Sequence, residues 1–259
     1  MIDRIRNSSA LWATVGAVAL ITFWEVFVRV RNVRKFVLLP PSEIVTTFAE
    51  TPRFFVDNMV TTAGRLAIAL GLSLVIALAI GAALAAFRPL EQASQPLLVL
   101  ILVTPWVAYI SSVQLWVGRG TPAVLFLATF VTVPAFVYAV VGGMRGADPA
   151  ARELFRSVDA TKWEVLWRLR LPSALPSIFT AARFNLGLGL AAVYFAEGAA
   201  LSEDGLGEAG RRAVAFNQGG VLWTTILCTA ALGIAAQVVV QVAERWLLHW
   251  HASQRRRTI

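Results

Sequence analysis

Cysteine is almost absent. Cys228 stands alone in 259 residues, so no disulfide framework staples the fold and no Cys/His cluster can hold zinc. Lysine is nearly as scarce. Lys35 and Lys162 are the two, and neither belongs to a G-x-x-x-x-G-K-[ST] run, which excludes a phosphate-binding loop of that type. Charge as a whole is thin: 15% of residues are charged, where a soluble domain carries roughly 25%. No catalytic constellation and no metal site is legible. What fills the chain is apolar, 58% of its residues. Several runs of about 20 residues carry no charge, the length that crosses a bilayer. The fold class expected is therefore all-α, a polytopic membrane protein. The formal charge of +8 invites a nucleic-acid reading, but the basic residues sit at the ends of the apolar runs, as the positive-inside rule requires. No nucleic acid is expected as a partner; the lipid bilayer is.

Six spans are expected. Ala10 to Val28 is the first, an uncleaved helix behind the short basic start MIDRIRNSS, with Trp24 and Glu25 near its far end as interfacial anchors. A long loop, Arg29 to Val60, follows. In it Ser42 is positioned to cap a short amphipathic helix, Glu43 to Glu50, with Ile44, Val45 and Phe48 on one face. Leu66 to Phe87 is a clean second span whose Ala77, Gly81 and Ala85 repeat small residues every four positions and permit close helix packing. Arg88, Pro89 and Glu91 read as a short turn. Leu97 to Val117 is the third span, Thr121 to Met144 the fourth, Ser173 to Glu197 the fifth and Gly219 to Ala243 the sixth. Pro105 and Pro134 are expected to kink theirs. His249 and His251 close the last helix and read as interfacial. No second domain and no internal repeat is evident, so 1–259 reads as one membrane domain.

Orientation follows from charge. Segments 1–9, 88–96, 145–172 and 244–259 hold 13 Lys/Arg, and the other loops, 29–60, 118–120 and 198–218, hold eight. The bias places both termini and the 145–172 loop in the cytoplasm. The cluster Arg29, Arg31, Arg34 and Lys35 runs against it.

The 145–172 loop is the most informative stretch. Eight charges fall in the 19 residues from Arg152 to Arg170, which keeps it out of hydrocarbon. Asp148-Pro149 is a helix start, a capping side chain and then proline at the first helical position. Leu154, Phe155 and Val158 then form one apolar face. That face can pack on its own protein, lie on lipid headgroups or meet a partner.

The stretch resembles the EAA loop of the membrane subunits of binding-protein-dependent ABC importers. That pattern runs Glu-Ala-Ala, three residues, Gly, about a dozen residues, Leu-Pro, a further Pro and an Arg. Glu153 stands at the Glu, Asp159 at the Gly, Leu171-Pro172 at the Leu-Pro, Pro176 at the second Pro and Arg183 at the Arg. Leu154 and Phe155 replace the alanines. Asp159 replaces a glycine suited to positive φ, a geometry that Asp tolerates better than most residues. The segment pattern from about Leu11 to Trp250 is similar to the subfamily importing taurine, alkanesulfonates, nitrate, bicarbonate, thiamine-related pyrimidines and riboflavin. The resemblance implies a non-catalytic permease whose loop forms a coupling helix docked on an ATPase. Its contacts would be Glu153, Leu154, Phe155, Val158, Asp159 and Ala160. It also implies two ATPase chains that bind ATP and Mg, a second permease chain that would make a homodimer, and an extracytoplasmic substrate-binding protein. The localisation implied is the bacterial inner membrane, and the cargo a flat heterocycle or small organic anion.

Polar groups at membrane depth are costly unless they face a cavity or a partner, so they mark candidate lining. In the third span Trp106, Tyr109 and Ser112 share a face, with Gln114 close by, and the fifth span adds Asn185 and Tyr194. The alternative is ordinary packing with hydroxyls bonded back to helix carbonyls. Arg183 and Glu197 lie 14 positions apart, ~21 Å along a helix. They cannot pair with each other, and each is expected to meet the headgroup region or another helix, unless Arg183 attracts an anionic substrate. From another class, a membrane-embedded assembly factor whose loop recruits a soluble partner without moving cargo fits the same features. A secondary transporter fits less well, because few ionisable groups lie mid-membrane.

Overall fold

The protein is described by a computed structural model covering residues 9–249. The basic ends, including Arg255 to Arg257 and His251, lie outside the described residues. Fourteen helical pieces appear in order among those described: α1 (Ser9–Val30), α2 (Pro41–Glu50), α3 (Pro52–Ala86), α4 (Arg88–Val103), a 3₁₀ turn (Trp106–Tyr109), α5 (Ile110–Trp116), α6 (Thr121–Arg145), α7 (Pro149–Ser157), α8 (Lys162–Val165), a π turn (Leu166–Arg170), α9 (Leu171–Ala196), a second π turn (Glu197–Leu201), α10 (Leu206–Ala215) and α11 (Gly219–Leu247). Among the described residues five helices are long and apolar enough to cross a membrane, and the bent pair α4 and 106–116 makes a sixth if counted as one span.

The bundle is built around α6, which packs along α3 on one side and α9 on the other. Its membrane window is 56% buried, against 6% for α1 and α11, which lie outermost. Two apolar layers fill the interfaces. One holds Leu127, Val131, Val193 and Leu201; the other holds Ala77, Leu84, Val137, Val140 and Ile178. The small-residue face of α3 is used as its spacing predicts. A Cβ at Gly81 would lie 2.6 Å from Val140 Cγ1, so the two backbones meet where a side chain has no room. Polar groups between the central helices are paired inward: Ser73 and Thr132 hydroxyls lie 2.5 Å apart, and Thr132 also donates to the Ala128 carbonyl.

Several boundaries differ from expectation. The second span is a 35-residue helix, Pro52–Ala86, because the charge-free run marks only its hydrocarbon part and Arg53, Asp57 and Arg65 belong to its outer turns. Ser42 does not cap α2. The helix starts at Pro41, and Glu25 of α1 takes the capping role: the Ser42 N–H donates to it at 3.0 Å and the Ser42 hydroxyl at 2.7 Å. The Arg29–Lys35 cluster is partly neutralised, Arg29 by Glu25 at 2.5 Å and Lys35 by Glu43 at 2.9 Å. The 88–91 stretch is the first turn of α4 and not a separate turn. The third span is not one kinked helix: at Thr104-Pro105 it bends through 91°. Proline removes a donor at 105, and the chain restarts as a 3₁₀ turn. The loop 198–218 holds α10. The fifth span starts early, since α8, the π turn and α9 follow one another without a break from Lys162 to Ala196, and the chain kinks at Ala199 and Ala200.

Candidate functional site: the 145–172 loop and a buried charge network

α7 is built as its sequence predicts. The Asp148 carboxylate accepts from the Ala150 N–H at 2.9 Å, and Pro149 is the first helical residue. The helix ends on a Schellman cap: the Ala160 N–H donates to the Phe155 carbonyl at 3.0 Å and the Asp159 N–H to the Arg156 carbonyl at 3.1 Å. That motif needs a left-handed residue, and Asp159 supplies it with φ +50. One residue later a capping box starts the next helix. The Thr161 hydroxyl accepts from the Glu164 N–H, and the Glu164 carboxylate accepts from the Thr161 N–H. A helix stop and a helix start thus stand back to back, leaving no slack between them.

Glu153, Leu154, Val158 and Asp159 are exposed, while Phe155 and Ala160 are half-buried. Leu154 and Val158 show 63% and 66% of their surface, an apolar patch on a charged loop. Trp163 and Trp167, which follow in the chain, are exposed as well, edge to face with centroids 5.5 Å apart. Sequence reasoning did not single out this aromatic pair. Their i, i+4 spacing was the available signal.

The residues proposed as lining are not gathered at one point. Trp106 packs edge to face on Phe195 at 5.6 Å and Tyr109 on Phe130 at 5.4 Å, both against the α6 core. Ser112 is half-buried. With its amide turned so that the oxygen faces Arg119, Gln114 accepts two bonds from that guanidinium, at 2.9 and 3.0 Å. Asn185 is fully buried and donates to the Thr132 carbonyl at 3.0 Å, with its own amide oxygen unpaired. Tyr194 opens on a cleft of about 540 Å³ shared with Val107, Ile110 and Phe195. Arg183 and Glu197 both meet other helices: Arg183 pairs with Glu244 of α11, and Glu197 is the centre of a network that sequence reasoning did not assemble.

That network closes the opposite end of the bundle from α7. Glu197 is fully buried. Its carboxylate accepts from Arg65 Nη1 at 2.8 Å, from the Thr62 hydroxyl at 3.0 Å and from the Gly207 N–H at 3.0 Å. Arg65 continues to Asp204 Oδ1 at 2.5 Å and to the Thr121 hydroxyl at 3.0 Å. Thr62 also accepts from the Leu206 N–H at 2.9 Å. The turn 204–207 lies directly on the carboxylate. A Cβ on Gly205, whose φ is +100, would fall 2.3 Å from the Glu197 carboxyl, and one on Gly207 would fall 1.9 Å from the Tyr194 carbonyl oxygen. Asp204 lies outside the spans. Partial burial raises its pKa, but the Arg65 bond outweighs this and holds it below its ordinary value. Glu208 on α10 is likewise held low, first by the Arg211 hydrogen bond and then by Arg212.

Comparison with known proteins agrees with this architecture. The family described as "Binding-protein-dependent transport system inner membrane component" matches residues 73–249. The chain is 28% identical to the formylaminopyrimidine transport permease protein ThiX of Halalkalibacterium halodurans, over 96% of this chain and 99% of that protein. It is 23% identical to the taurine transport system permease protein TauC of Escherichia coli K12, over 92% and 89%. Among solved structures it is similar to a chain of the inward-facing MetNI methionine ABC transporter, with TM-score 0.65 and 20% identity over 76% of this chain and 98% of that one.

Proposed function

The chain belongs to the family of binding-protein-dependent transport system inner membrane components, and from that premise we propose how this ABC importer permease subunit couples to its partners. α7 is the coupling helix. Glu153, Leu154, Phe155, Val158, Asp159 and Ala160 seat in a groove on an ATPase subunit, which binds ATP and Mg and hydrolyses the nucleotide. The observation that carries this reading is the exposed apolar pair Leu154 and Val158 on a helix capped at both ends. Apolar area left exposed on an otherwise charged loop is the kind of patch that marks an interaction site, and the caps let it move as one body with whatever it docks on.

The assembly proposed has two permease copies, two ATPases and an extracytoplasmic binding protein, with both termini in the cytoplasm of a bacterial inner membrane. ATP closes the ATPases, α7 is carried with its groove, the third to fifth spans tilt, and the path opens outward. Trp106, Tyr109, Ser112, Gln114 and Tyr194 border that path between the two copies, with Asn185 buried behind them. The names of ThiX and TauC support a small cargo, a flat heterocycle or an organic anion.

The test is co-purification of the tagged chain from its host in mild detergent. Recovery of an ATPase and a binding protein is expected, with the ATPase lost from a Leu154→Asp/Val158→Asp chain that still inserts. An ATPase retained by that variant at the unsubstituted yield overturns the coupling assignment.

A further inference from the structure

At the membrane end that carries α7, a cleft of about 550 Å³ opens between the last turn of α3 and the 145–172 loop. Four cations line it: Arg152, Arg156, Lys162 and Arg170, together with Trp163 and Phe87. Its lining holds no carboxylate, and among the described residues none of the four cations has an ion-pair partner. Nε of Arg152 and Nε of Arg170 are both buried with no hydrogen-bond acceptor. Both atoms are shielded from solvent and Arg152 Nη2 donates to the Arg145 carbonyl, so what the cleft presents is the uncompensated positive charge of the four side chains.

The positive-inside rule explains why cations gather at this end of the molecule, but it does not require four of them to converge on one cleft without an acid. The cleft lies on the other side of α7 from Leu154 and Val158, and of the proposed coupling residues Ala160 alone lines it. Arg152 and Arg156 stand two residues on either side of Leu154, about 200° round the helix, and they face α3 while Leu154 and Val158 point away. The floor is apolar, formed where Ala82 and Ala86 end a membrane span, and Phe87 and Trp163 are both strongly exposed at its rim.

We propose that this cleft is a binding site for the headgroup of an anionic phospholipid, whose phosphate takes the four cations and whose acyl chains lie along the exposed end of α3. Basic pockets between helix ends at a membrane surface bind such headgroups, each nearby cation adding to the affinity, and arginine offers paired donors to phosphate oxygens. A free phosphate shares the polar chemistry but makes no use of the apolar floor and the aromatic rim.

The full-length chain, purified in mixed micelles of equal phosphatidylglycerol and phosphatidylcholine with matched acyl chains, is examined by native mass spectrometry for retained lipid. Phosphatidylglycerol is expected to be retained over phosphatidylcholine. Arg156→Gln/Lys162→Gln, two exposed positions, is expected to weaken that preference by about thirtyfold while the elution position of the protein is unchanged. Inorganic phosphate at the concentration of the lipid leaves the preference standing. Equal retention of the two lipids by the unsubstituted chain overturns the proposal without recourse to any variant, and so does a preference that survives the double substitution. Displacement of the lipid by inorganic phosphate overturns the assignment to lipid. None of these outcomes depends on an ATPase, so the result is independent of the coupling role of α7.

Discussion

At the scale of single residues, Glu197 is where a small change has the largest effect. It is a charge with no exposed surface, held by Arg65, Thr62 and the Gly207 N–H. Removing one member of a buried pair leaves the other uncompensated, which costs about 3–5 kcal/mol. Arg65 keeps Asp204, so Glu197→Ala is expected to lose about 3 kcal/mol, read as a lowered midpoint of thermal unfolding in detergent. Gly207→Ala is expected to be at least as damaging, because the new Cβ meets a backbone oxygen, whereas Gly64→Ala meets nothing within 4 Å and serves as the control. Glu208 gives a pH dependence with a defined sign. Its folded pKa lies below the ordinary 4.5, chiefly through Arg211. Its contribution is therefore complete above about pH 4.5 and is lost as pH falls through the depressed value. Glu208→Gln is expected to flatten that part of a melting-temperature profile taken from pH 6 down to 3 and to leave the neutral end lower. The Glu208 pairs have the local spacing of a helix, but the partners of Glu197 were not legible in the sequence. Arg65 and Glu197 are 132 positions apart, and nothing local to either announces the other.

Elements were legible where a local rule determined them. The start of α7 at Asp148-Pro149 follows from side-chain capping and the fixed φ of proline. Its end at Asp159 follows from the left-handed position that the Schellman geometry demands. A β-branched residue fits that geometry badly. Asp159→Val is therefore expected to destabilise the loop by about 1–2 kcal/mol, seen as faster amide exchange over 155–161, while Asp159→Gly leaves exchange unchanged or slower. The third span was misjudged because proline reports a lost hydrogen bond but not the angle that follows. Packing of Trp106 and Tyr109 on Phe195 and Phe130 holds the turned segment against α6 and α9. The cap of α2 was misassigned for a similar reason, since the acceptor that satisfies its first turn, Glu25, belongs to another helix.

For the whole molecule, apolar run length was enough to count the spans, and charge bias supplies the proposed orientation. Orientation can be checked directly in a Cys228→Ser background. A membrane-impermeant maleimide is expected to label Glu203→Cys, an exposed position, on intact cells, and Glu153→Cys only after the membrane is opened. The reverse pattern overturns the orientation. The helical run from Lys162 to Glu197, just before the kink at Ala199 and Ala200, has a mechanical consequence. From Lys162, beside the capped loop, to Glu197, in the buried charge network, is 35 residues, ~52 Å of rod. A lever of that length pinned at the Glu197 end turns a tilt of ~5° into a sweep of ~4–5 Å at the other. Displacements of ångström size at the loop and fractions of an ångström in the pinned network are thus the same motion seen from opposite ends of one lever.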